Sequence, residues 1–243
     1  MSAPGRLYGV GVGPGDPELM TLKAARLLAA APVVAFFCKR GRRGHGRTIV
    51  EGYLNAAVIE EELAYPLTTE ASPEDSAYQD ALTGFYDDGA SRLAAHLAAG
   101  RDVVVISEGD PFFYGSFMPI FHRLAPRFES EIVPGVTGMS GCWTQARTPI
   151  TYGDDVLTVL PGTLSAEALK RKLAEADAAV IMKLGRHFAK VRGVLVELGL
   201  AGRSIYVERG TMAGEKVMAL PPADYEGAPY FAMILVPGQG RLL

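Results

Sequence analysis

The sequence predicts an α/β fold in two domains, and three observations support this prediction. The chain has 243 residues, of which 49% are hydrophobic and 21% charged, enough to bury a sizeable core. Its first half alternates apolar runs with amphipathic stretches, which is typical of a mostly parallel five-stranded sheet. Its second half has strands joined by short turns, which indicates a mixed sheet. The pattern changes near Thr148-Pro149, so we place the domains at residues 1–148 and 149–243.

Short apolar runs predict five strands in the first domain, at 7–12, 33–37, 57–63, 103–106 and 131–133. The stretches between them predict helices at 21–31, at about 73–99 and from about Phe117, with Thr21 as the cap of the first. Helical crossovers between parallel strands cover both faces of the sheet. In the second domain we expect strands at 156–160, 179–183, 204–208, 216–220 and 231–236, and helices at 166–175 and 187–198.

Composition and charge exclude several classes of protein. With 24 Lys and Arg against 27 Asp and Glu, the net charge of −3 argues against general nucleic-acid binding. The longest apolar run, residues 27–38, is broken by Pro32 and is too short to span a bilayer. No basic region of a signal peptide opens the chain, and the 2 cysteines are too few for a disulfide framework. The 4 histidines have no metal-site spacing. We therefore expect a cytoplasmic protein without a metal or a membrane partner.

Three glycine-rich turns follow predicted strands, at residues 9–17, 108–115 and 133–141. The first is not a dinucleotide fingerprint, because Asp16 or Pro14 stands where the third glycine is needed and no acid follows about 20 residues on. This argues against a nicotinamide-dependent oxidoreductase. In the second turn, Asp110 either places a carboxylate in the ligand crevice or caps the next helix. In the third, Thr137 can cap a helix and present N–H groups to an anion. Three such turns along one sheet indicate a ligand site.

A basic segment, residues 39–47 with the sequence KRGRRGHGR, has five Lys or Arg and no acid. From residue 48 to 99 the chain has ten acidic residues and only one basic residue, Arg92. The segment is either a solvated loop or a mobile, glycine-rich loop that grasps several carboxylates or phosphates, since each guanidinium can bind an oxyanion through two bonds. Under the second interpretation the binding residues are Arg40, Arg42, Arg43 and Arg47.

These blocks together resemble the tetrapyrrole methylases, the S-adenosylmethionine-dependent enzymes of cobalamin and sirohaem synthesis. The matching blocks cover nearly the whole chain in the right order: residues 9–21, 108–115, 133–138, 180–185 and 208–211. Within the family, the Met-Lys-Leu-Gly-Arg block at 182–186 and the long basic insertion are most similar to enzymes that methylate C20 of precorrin-2. Related enzymes often have Gly-Gly where this chain has Glu108-Gly109, which leaves the role of Glu108 open.

The resemblance implies two α/β domains with S-adenosylmethionine in a cleft between them, in a homodimer. Carried over by position, the cofactor contacts fall on Pro14, Gly109, Asp110, Phe113, Thr137, Gly138, Met182, Gly210 and Met233. The product, S-adenosylhomocysteine, has an adenine suited to an apolar slot beside the two methionines. The substrate is a flat polyanion with eight carboxylates, which gives the basic segment a function in a protein of negative net charge.

Three residues are candidates for the chemistry that the resemblance implies. Asp110 is either the base that takes the C20 proton, an orienting carboxylate, or a cofactor-binding or capping residue. Lys183 either pairs with a substrate carboxylate, or tunes the charge of the macrocycle, or forms a surface ion pair. Tyr230 either donates a hydrogen bond across the cleft or is an ordinary half-buried tyrosine.

Other substrates and one other class of protein stay open from sequence. The cobalt complex of precorrin-2, or another ring position, fits the same motifs, because regiochemistry depends on how the macrocycle is angled. A regulator that only binds S-adenosylmethionine keeps the glycine turns but has no use for the basic segment or Lys183.

Overall fold

The structure is a computed structural model that describes residues 3–66, 76–225 and 227–240. Residues 73–75 of the predicted second helix lie outside these ranges. By internal packing the chain forms two units, Met1–Thr137 and Gly138–Leu243. Residues 138–148 thus group with the second unit, and the domain limits 1–148 and 149–243 stay a prediction.

The first unit contains a sheet in which every strand pair is parallel, as the sequence predicts. Its strands are β1 (Leu7–Gly11), β2 (Val33–Lys39), β3 (Ile59–Tyr65), β4 (Val103–Ser107) and β5 (Ser130–Val133). Its helices are α1 (Leu22–Ala30), α2 (His45–Ile49), α3 (Ser76–Ala98) and α4 (Phe117–Leu124). The strand order is β3-β2-β4-β1-β5, so β2, β4 and β1 occupy the interior of the sheet.

Strand β4 is buried along its whole length because helices cover both of its faces. Val103 and Val105 pack against α3 and α4, while Val104 and Ile106 pack on the opposite face with α1. Each fully buried aliphatic side chain stabilises such a core by about 1.5–3 kcal/mol. The predicted cap of α1 is confirmed, since Thr21 Oγ1 accepts the Ala24 N–H at 3.2 Å.

The second unit contains the predicted mixed sheet, in the order β6-β7-β10-β8-β9. Its strands are β6 (Leu157–Pro161), β7 (Ala178–Met182), β8 (Ile205–Glu208), β9 (Lys216–Ala219) and β10 (Ala232–Val236), and its helices are α5 (Gly138–Gln145), α6 (Ala166–Ala174) and α7 (Phe188–Glu197). Only β6 and β7 pair in parallel; β10 runs antiparallel between β7 and β8. One face packs against α6 and α7, and the other against α5.

Helix α2 corrects one expectation, because the basic segment is not a loop throughout. Lys39 ends β2, residues 40–43 form an exposed turn, and His45, Gly46 and Arg47 belong to α2. Gly44 at the start of this helix lies so close to β2 that an added Cβ would be 2.2 Å from the Phe37 carbonyl oxygen. Over the described parts of the chain, no helix combines the length and the apolar character that crossing a membrane needs.

Candidate functional site

The three glycine turns meet at the carboxyl edge of the first sheet. In the parallel register Gly11 pairs with Ser107, and Val10 pairs with Val133, so β1, β4 and β5 end side by side. The turns that follow are hydrogen-bonded to one another: Gly109 N–H donates to the Gly13 carbonyl oxygen at 2.7 Å. This edge is where open parallel sheets bind ligands.

Glycine is required at this junction because three backbones approach one another closely. An added Cβ on Gly11 would lie 2.5 Å from the Gly109 carbonyl oxygen, and one on Gly135 would lie 2.0 Å from that oxygen. Gly109 itself has a left-handed φ of 67°. The turns therefore bring peptide N–H and carbonyl groups to the sheet edge without side chains in front of them, which suits a ligand with polar groups.

Asp110 joins two of the turns through its carboxylate. Its Oδ1 accepts the Phe112 N–H at 2.9 Å, and its Oδ2 accepts the Gly135 N–H at 3.1 Å. It does not cap the following helix, because α4 begins only at Phe117, after Ser116. Both carboxylate oxygens thus bind backbone donors, and Asp110 orders the junction in addition to any role toward a ligand.

The other first-unit residues assigned to the cofactor lie in the same turns. Pro14 is buried after β1, Phe113 is half-buried in the turn after β4, and Thr137 is half-buried after β5. The ring of Phe113 packs edge-on against Tyr114, with centroids 5.0 Å apart. Pro14, Gly109, Asp110, Phe113 and Thr137 therefore share one edge of one sheet.

The second-unit residues assigned to the cofactor also share one sheet edge. Met182 ends β7, and the register Ile234–Ile181 places Met233 of the antiparallel β10 beside it. A Cβ added to Gly138 would lie 3.1 Å from Met233 Cε, and one added to Gly210 would lie 2.8 Å from Cys142 Sγ of α5. Helix α5 therefore packs directly on the residues that the sequence predicts for the apolar slot.

Strained backbone marks the same turns in both units. Among the described residues, five non-glycine residues have a left-handed φ of 49° to 69°, and four of them lie in turns that the sequence analysis singles out. These four are Tyr114, Lys183, Arg209 and Thr211. Such conformations cost of order 1–3 kcal/mol each and are typical of functional sites.

Lys183 and Tyr230 are both exposed on the second unit. Lys183 follows β7 directly with a φ of 57°, so its backbone turns sharply where the strand ends. Tyr230 precedes β10, is 71% exposed, and packs edge-on against the Phe231 ring. It is therefore not the half-buried tyrosine of one interpretation. The chemical roles of both residues stay predictions.

The four arginines assigned to the substrate differ in their surroundings. Arg40 and Arg42 are exposed in the turn after β2, and Arg43 is exposed with its Nη1 2.8 Å from Glu51 Oε1. Arg47 is only 7% exposed, and its Nε and Nη2 donate to the Glu60 carboxylate at 2.7 and 2.6 Å. Hydrogen bonding to Glu60 raises the pKa of Arg47 against the effect of burial. The structure gives Arg47 an internal partner, so substrate binding by this residue stays a prediction.

Glu108 is the site residue that sequence reasoning left without a role. Its Oε1 accepts the Gly46 N–H of α2 at 2.8 Å, which links the second glycine turn to the basic segment. The residue has exposed surface, yet protein atoms crowd its carboxylate. This desolvation raises the pKa of Glu108 above its usual range, although the Gly46 N–H and the charge of His45 act to lower it. Only the departure from Gly-Gly pointed to Glu108 in the sequence.

Within the described ranges, no group of three or more His, Cys, Asp or Glu side chains is arranged to hold a metal ion.

The profile of the family described as Tetrapyrrole (Corrin/Porphyrin) Methylases matches residues 6–224, nearly the whole chain. This chain belongs to the tetrapyrrole methylases. It is therefore a methyltransferase, and each of the two sheet edges described above carries candidate site residues.

Three relatives place the chain more closely among the tetrapyrrole methylases. A precorrin-2 C(20)-methyltransferase of a Sinorhizobium species is 53% identical over 96% of both chains. Cobalamin biosynthesis protein CobIJ of Mycobacterium bovis is 48% identical over 99% of this chain, which spans only 47% of that longer protein. A cobalt-precorrin-2 C(20)-methyltransferase of Salmonella typhimurium is 27% identical over 96% of both chains.

A solved tetrapyrrole methylase structure has the same fold. The uroporphyrin-III C-methyltransferase of Thermus thermophilus, complexed with S-adenyl homocysteine, superposes with a TM-score of 0.66 and 26% sequence identity. The match covers 95% of this chain and 92% of that one.

Proposed function

We propose that this enzyme transfers the methyl group of S-adenosylmethionine to C20 of precorrin-2, giving precorrin-3A in cobalamin biosynthesis. The 53% identity to a precorrin-2 C(20)-methyltransferase over 96% of both chains carries the proposal. The cobalt complex of precorrin-2 is the competing substrate, since a relative named for it aligns over the same span at 27% identity.

The glycine junction supports the binding of S-adenosylmethionine. Side chains are excluded where Gly11, Gly109 and Gly135 approach one another, so peptide groups can reach the amino-acid end of the cofactor. On the second unit, Met182 and Met233 offer apolar surface and strand-edge peptide groups for the adenine. Gly138 and Gly210 also support this adenine site, because their small size allows α5 to pack against Met233 and against the turn after β8.

The residues act by holding the reactants rather than by covalent chemistry. When bound, S-adenosylmethionine supplies the methyl group, and its positively charged sulfur is a good leaving group. Holding two reactants in line can supply about 7–11 kcal/mol of the barrier. A residue must also accept the C20 proton, a step worth about 10²–10⁴-fold in rate. Asp110, Lys183 and Tyr230 stay our candidates for orienting the macrocycle or moving this proton.

The exposed arginines support a substrate rich in carboxylates. Arg40, Arg42 and Arg43 lie together in one short turn, and guanidinium groups bind carboxylates through paired hydrogen bonds.

We further propose that the enzyme works as a homodimer in the cytoplasm and needs no metal. Light scattering after size-exclusion chromatography tests the dimer. If the enzyme needs no metal, it should keep full activity after exhaustive treatment with a chelator.

An anaerobic incubation with S-adenosylmethionine and precorrin-2, followed by absorbance and product mass, tests the reaction. We expect the gain of one methyl group, located at C20 by fragmentation or NMR. A parallel incubation with cobalt-precorrin-2 is the matched comparison. Faster turnover of the cobalt complex would transfer the assignment to that substrate. Methylation at another carbon would contradict the regiochemistry while retaining the family.

A further inference from the structure

The carboxylate of Glu108 connects two parts of the first unit that are 62 residues apart in sequence. Glu108 follows β4 in the second glycine turn, and its Oε1 accepts the N–H of Gly46 at 2.8 Å. Gly46 lies in the first turn of α2, where N–H groups have no acceptor inside the helix. Gly44, at the cap position of this helix, has no side chain to supply one. Glu108 supplies the acceptor that the helix itself lacks.

This hydrogen bond holds one end of the basic segment. The other end is part of the sheet, because Lys39 pairs with Tyr65 in the β2–β3 register. Arg40 and Arg42 lie between the two attachments and are exposed. Without the bond to Glu108, the attachment at the α2 end relies on Gly44 packing against Phe37, on Arg47 pairing with Glu60 and on the buried side chain of Ile49.

The negative charge of Glu108 does not explain why a carboxylate lies beside this basic segment. A carboxylate near arginines that attract a polyanion weakens that attraction. A backbone N–H that donates to a carboxylate, in contrast, forms one of the stronger hydrogen bonds of a protein. The geometry therefore favours a role for Glu108 through the bond to Gly46.

We propose that Glu108 is a positioning residue for the tetrapyrrole substrate: by accepting the Gly46 N–H, it holds the exposed arginines of the basic segment at the carboxyl edge of β4. This inference rests on the proposed function, since it assigns the substrate site of that reaction. It gives Glu108 no part in methyl transfer itself.

Two substitutions separate the hydrogen bond from the charge. Glu108→Asp keeps the charge but is one methylene too short to reach Gly46, whereas Glu108→Gln keeps an acceptor oxygen and loses the charge. We expect Glu108→Asp to raise KM for precorrin-2 by about tenfold, the effect of losing one strong hydrogen bond. Glu108→Gln should leave KM within about threefold of wild type. In both variants kcat and the Kd for S-adenosylhomocysteine should stay near wild type.

Ser165→Ala, which removes the cap of α6 in the other unit, is the control and should not change KM.

Hydrogen exchange at the Gly46 amide gives a readout that does not depend on activity. Exchange should be slow in wild type and Glu108→Gln, and faster in Glu108→Asp. A lower KM in Glu108→Gln, with the KM of Glu108→Asp unchanged, would show that charge alone matters and would overturn the proposal. A large fall in kcat for Glu108→Gln, with KM unchanged, would overturn it in favour of a catalytic carboxylate.

Uroporphyrin, a stable tetrapyrrole with eight carboxylates, separates failure of this inference from failure of the proposed reaction. If wild type does not methylate precorrin-2, the proposed function fails, but weaker uroporphyrin binding by Glu108→Asp than by wild type, at equal charge, would still support the positioning role. Equal binding by Glu108→Asp and wild type, together with equal Gly46 exchange, would overturn it.

Discussion

At the scale of single residues, the glycine junction is the most constrained part of the site. A Cβ on Gly135 would lie 2.0 Å from the Gly109 carbonyl oxygen, a distance that requires backbone movement. The three turns are joined there by hydrogen bonds, so movement of one turn displaces the others. A single methyl group should therefore alter a binding site without touching any ligand.

We predict that Gly135→Ala lowers the affinity for S-adenosylhomocysteine at least about tenfold and destabilises the protein by about 1–3 kcal/mol, the usual cost of overpacking. Isothermal calorimetry and chemical denaturation measure the two effects. Gly84→Ala is the matched control, because a Cβ there meets nothing within 4 Å and the position is helical. That variant should bind normally and gain up to about 1 kcal/mol. Wild-type affinity in Gly135→Ala would contradict the location of the cofactor site.

Asp110 offers a second prediction at this scale. In Asp110→Asn one carboxylate oxygen becomes an amide NH2, so either the Phe112 N–H or the Gly135 N–H loses its acceptor. A lost hydrogen bond to a charged group is worth about 1.5–3 kcal/mol, so we expect S-adenosylhomocysteine to bind about tenfold or more weakly. Turnover should fall in parallel. Unchanged affinity with greatly reduced turnover would instead support Asp110 as the base.

At the scale of secondary-structure elements, β8 ends in a buried carboxylate that organises its neighbours. Glu208 is 4% exposed, and its Oε1 accepts the hydroxyl groups of Tyr206 at 2.9 Å and Tyr225 at 2.5 Å. Its Oε2 lies 3.2 Å from Lys216 Nζ on β9. The next residue, Arg209, begins the strained turn that contains Gly210. Glu208 therefore holds the end of β8, from which this strained turn begins.

We predict that Glu208→Ala destabilises the protein by about 1.5–3 kcal/mol, because the buried hydroxyl of Tyr206 and the half-buried hydroxyl of Tyr225 lose a charged acceptor. Burial acts to raise the pKa of Glu208, but the hydrogen bonds from Tyr225, Tyr206 and Lys216 outweigh it, and the pKa lies below its ordinary value. The stabilisation is then complete above the unfolded-state pKa and is lost as the pH falls through the folded-state pKa. The stability difference between wild type and Glu208→Gln, followed from pH 7 downwards, should shrink only in acid. A difference that grows in acid would contradict this.

Helix α2 is stabilised from outside itself, which leads to a prediction about Arg47. Its guanidinium is buried and pairs with Glu60 of β3 through two hydrogen bonds. Arg47→Met keeps the aliphatic bulk but leaves Glu60 unpaired, and we expect a loss of about 1–3 kcal/mol in unfolding free energy. Arg42→Met, at an exposed position of the same segment, should change stability by less than about 0.5 kcal/mol. Equal stabilities would show that the Arg47–Glu60 pair is not structural.

At the scale of the whole molecule, positive charge is clustered in one segment although the net charge is negative. The chain carries −3 overall, yet residues 39–47 contain five Lys or Arg and no acid. Clustered charge of one sign attracts a polyanion even when the net charge opposes it. Substrate attraction should therefore be local and sensitive to salt.

We predict that the double variant Arg40→Ala/Arg42→Ala raises KM for precorrin-2 about tenfold or more and makes KM less dependent on salt, because screening then has fewer charges to act on. Affinity for S-adenosylhomocysteine should not change. The control is Arg171→Ala/Lys172→Ala, which also removes two positive charges, from exposed positions of α6. If all these variants show the same KM and salt dependence, the basic segment is only a solvated surface.

Most of the elements were predictable from sequence because their signals are local. The apolar run of β4 and the amphipathic pattern of α6 are each complete within a few residues, and both were found within one or two residues of their ends. Helix α2 carries no such signal: it has only five residues, His-Gly-Arg-Thr-Ile, and its contacts with Glu108, Glu60 and the core around Ile49 come from distant parts of the chain. The interpretation of residues 39–47 as a loop throughout was wrong for that reason.

The site divides in the same way. The sequence by itself determined the family, the two sheets and the positions of the glycine turns, because small residues after apolar strands leave a local pattern. Only the tertiary structure decided which of these groups meet: that both oxygens of Asp110 bind backbone N–H groups, that Arg47 is buried against Glu60, and that Glu108 reaches Gly46. Apart from the bond between Asp110 and Phe112, these hydrogen bonds join residues 13, 25 and 62 positions apart in sequence, and their partners are set by strand order and register. No local pattern of residue types encodes that order.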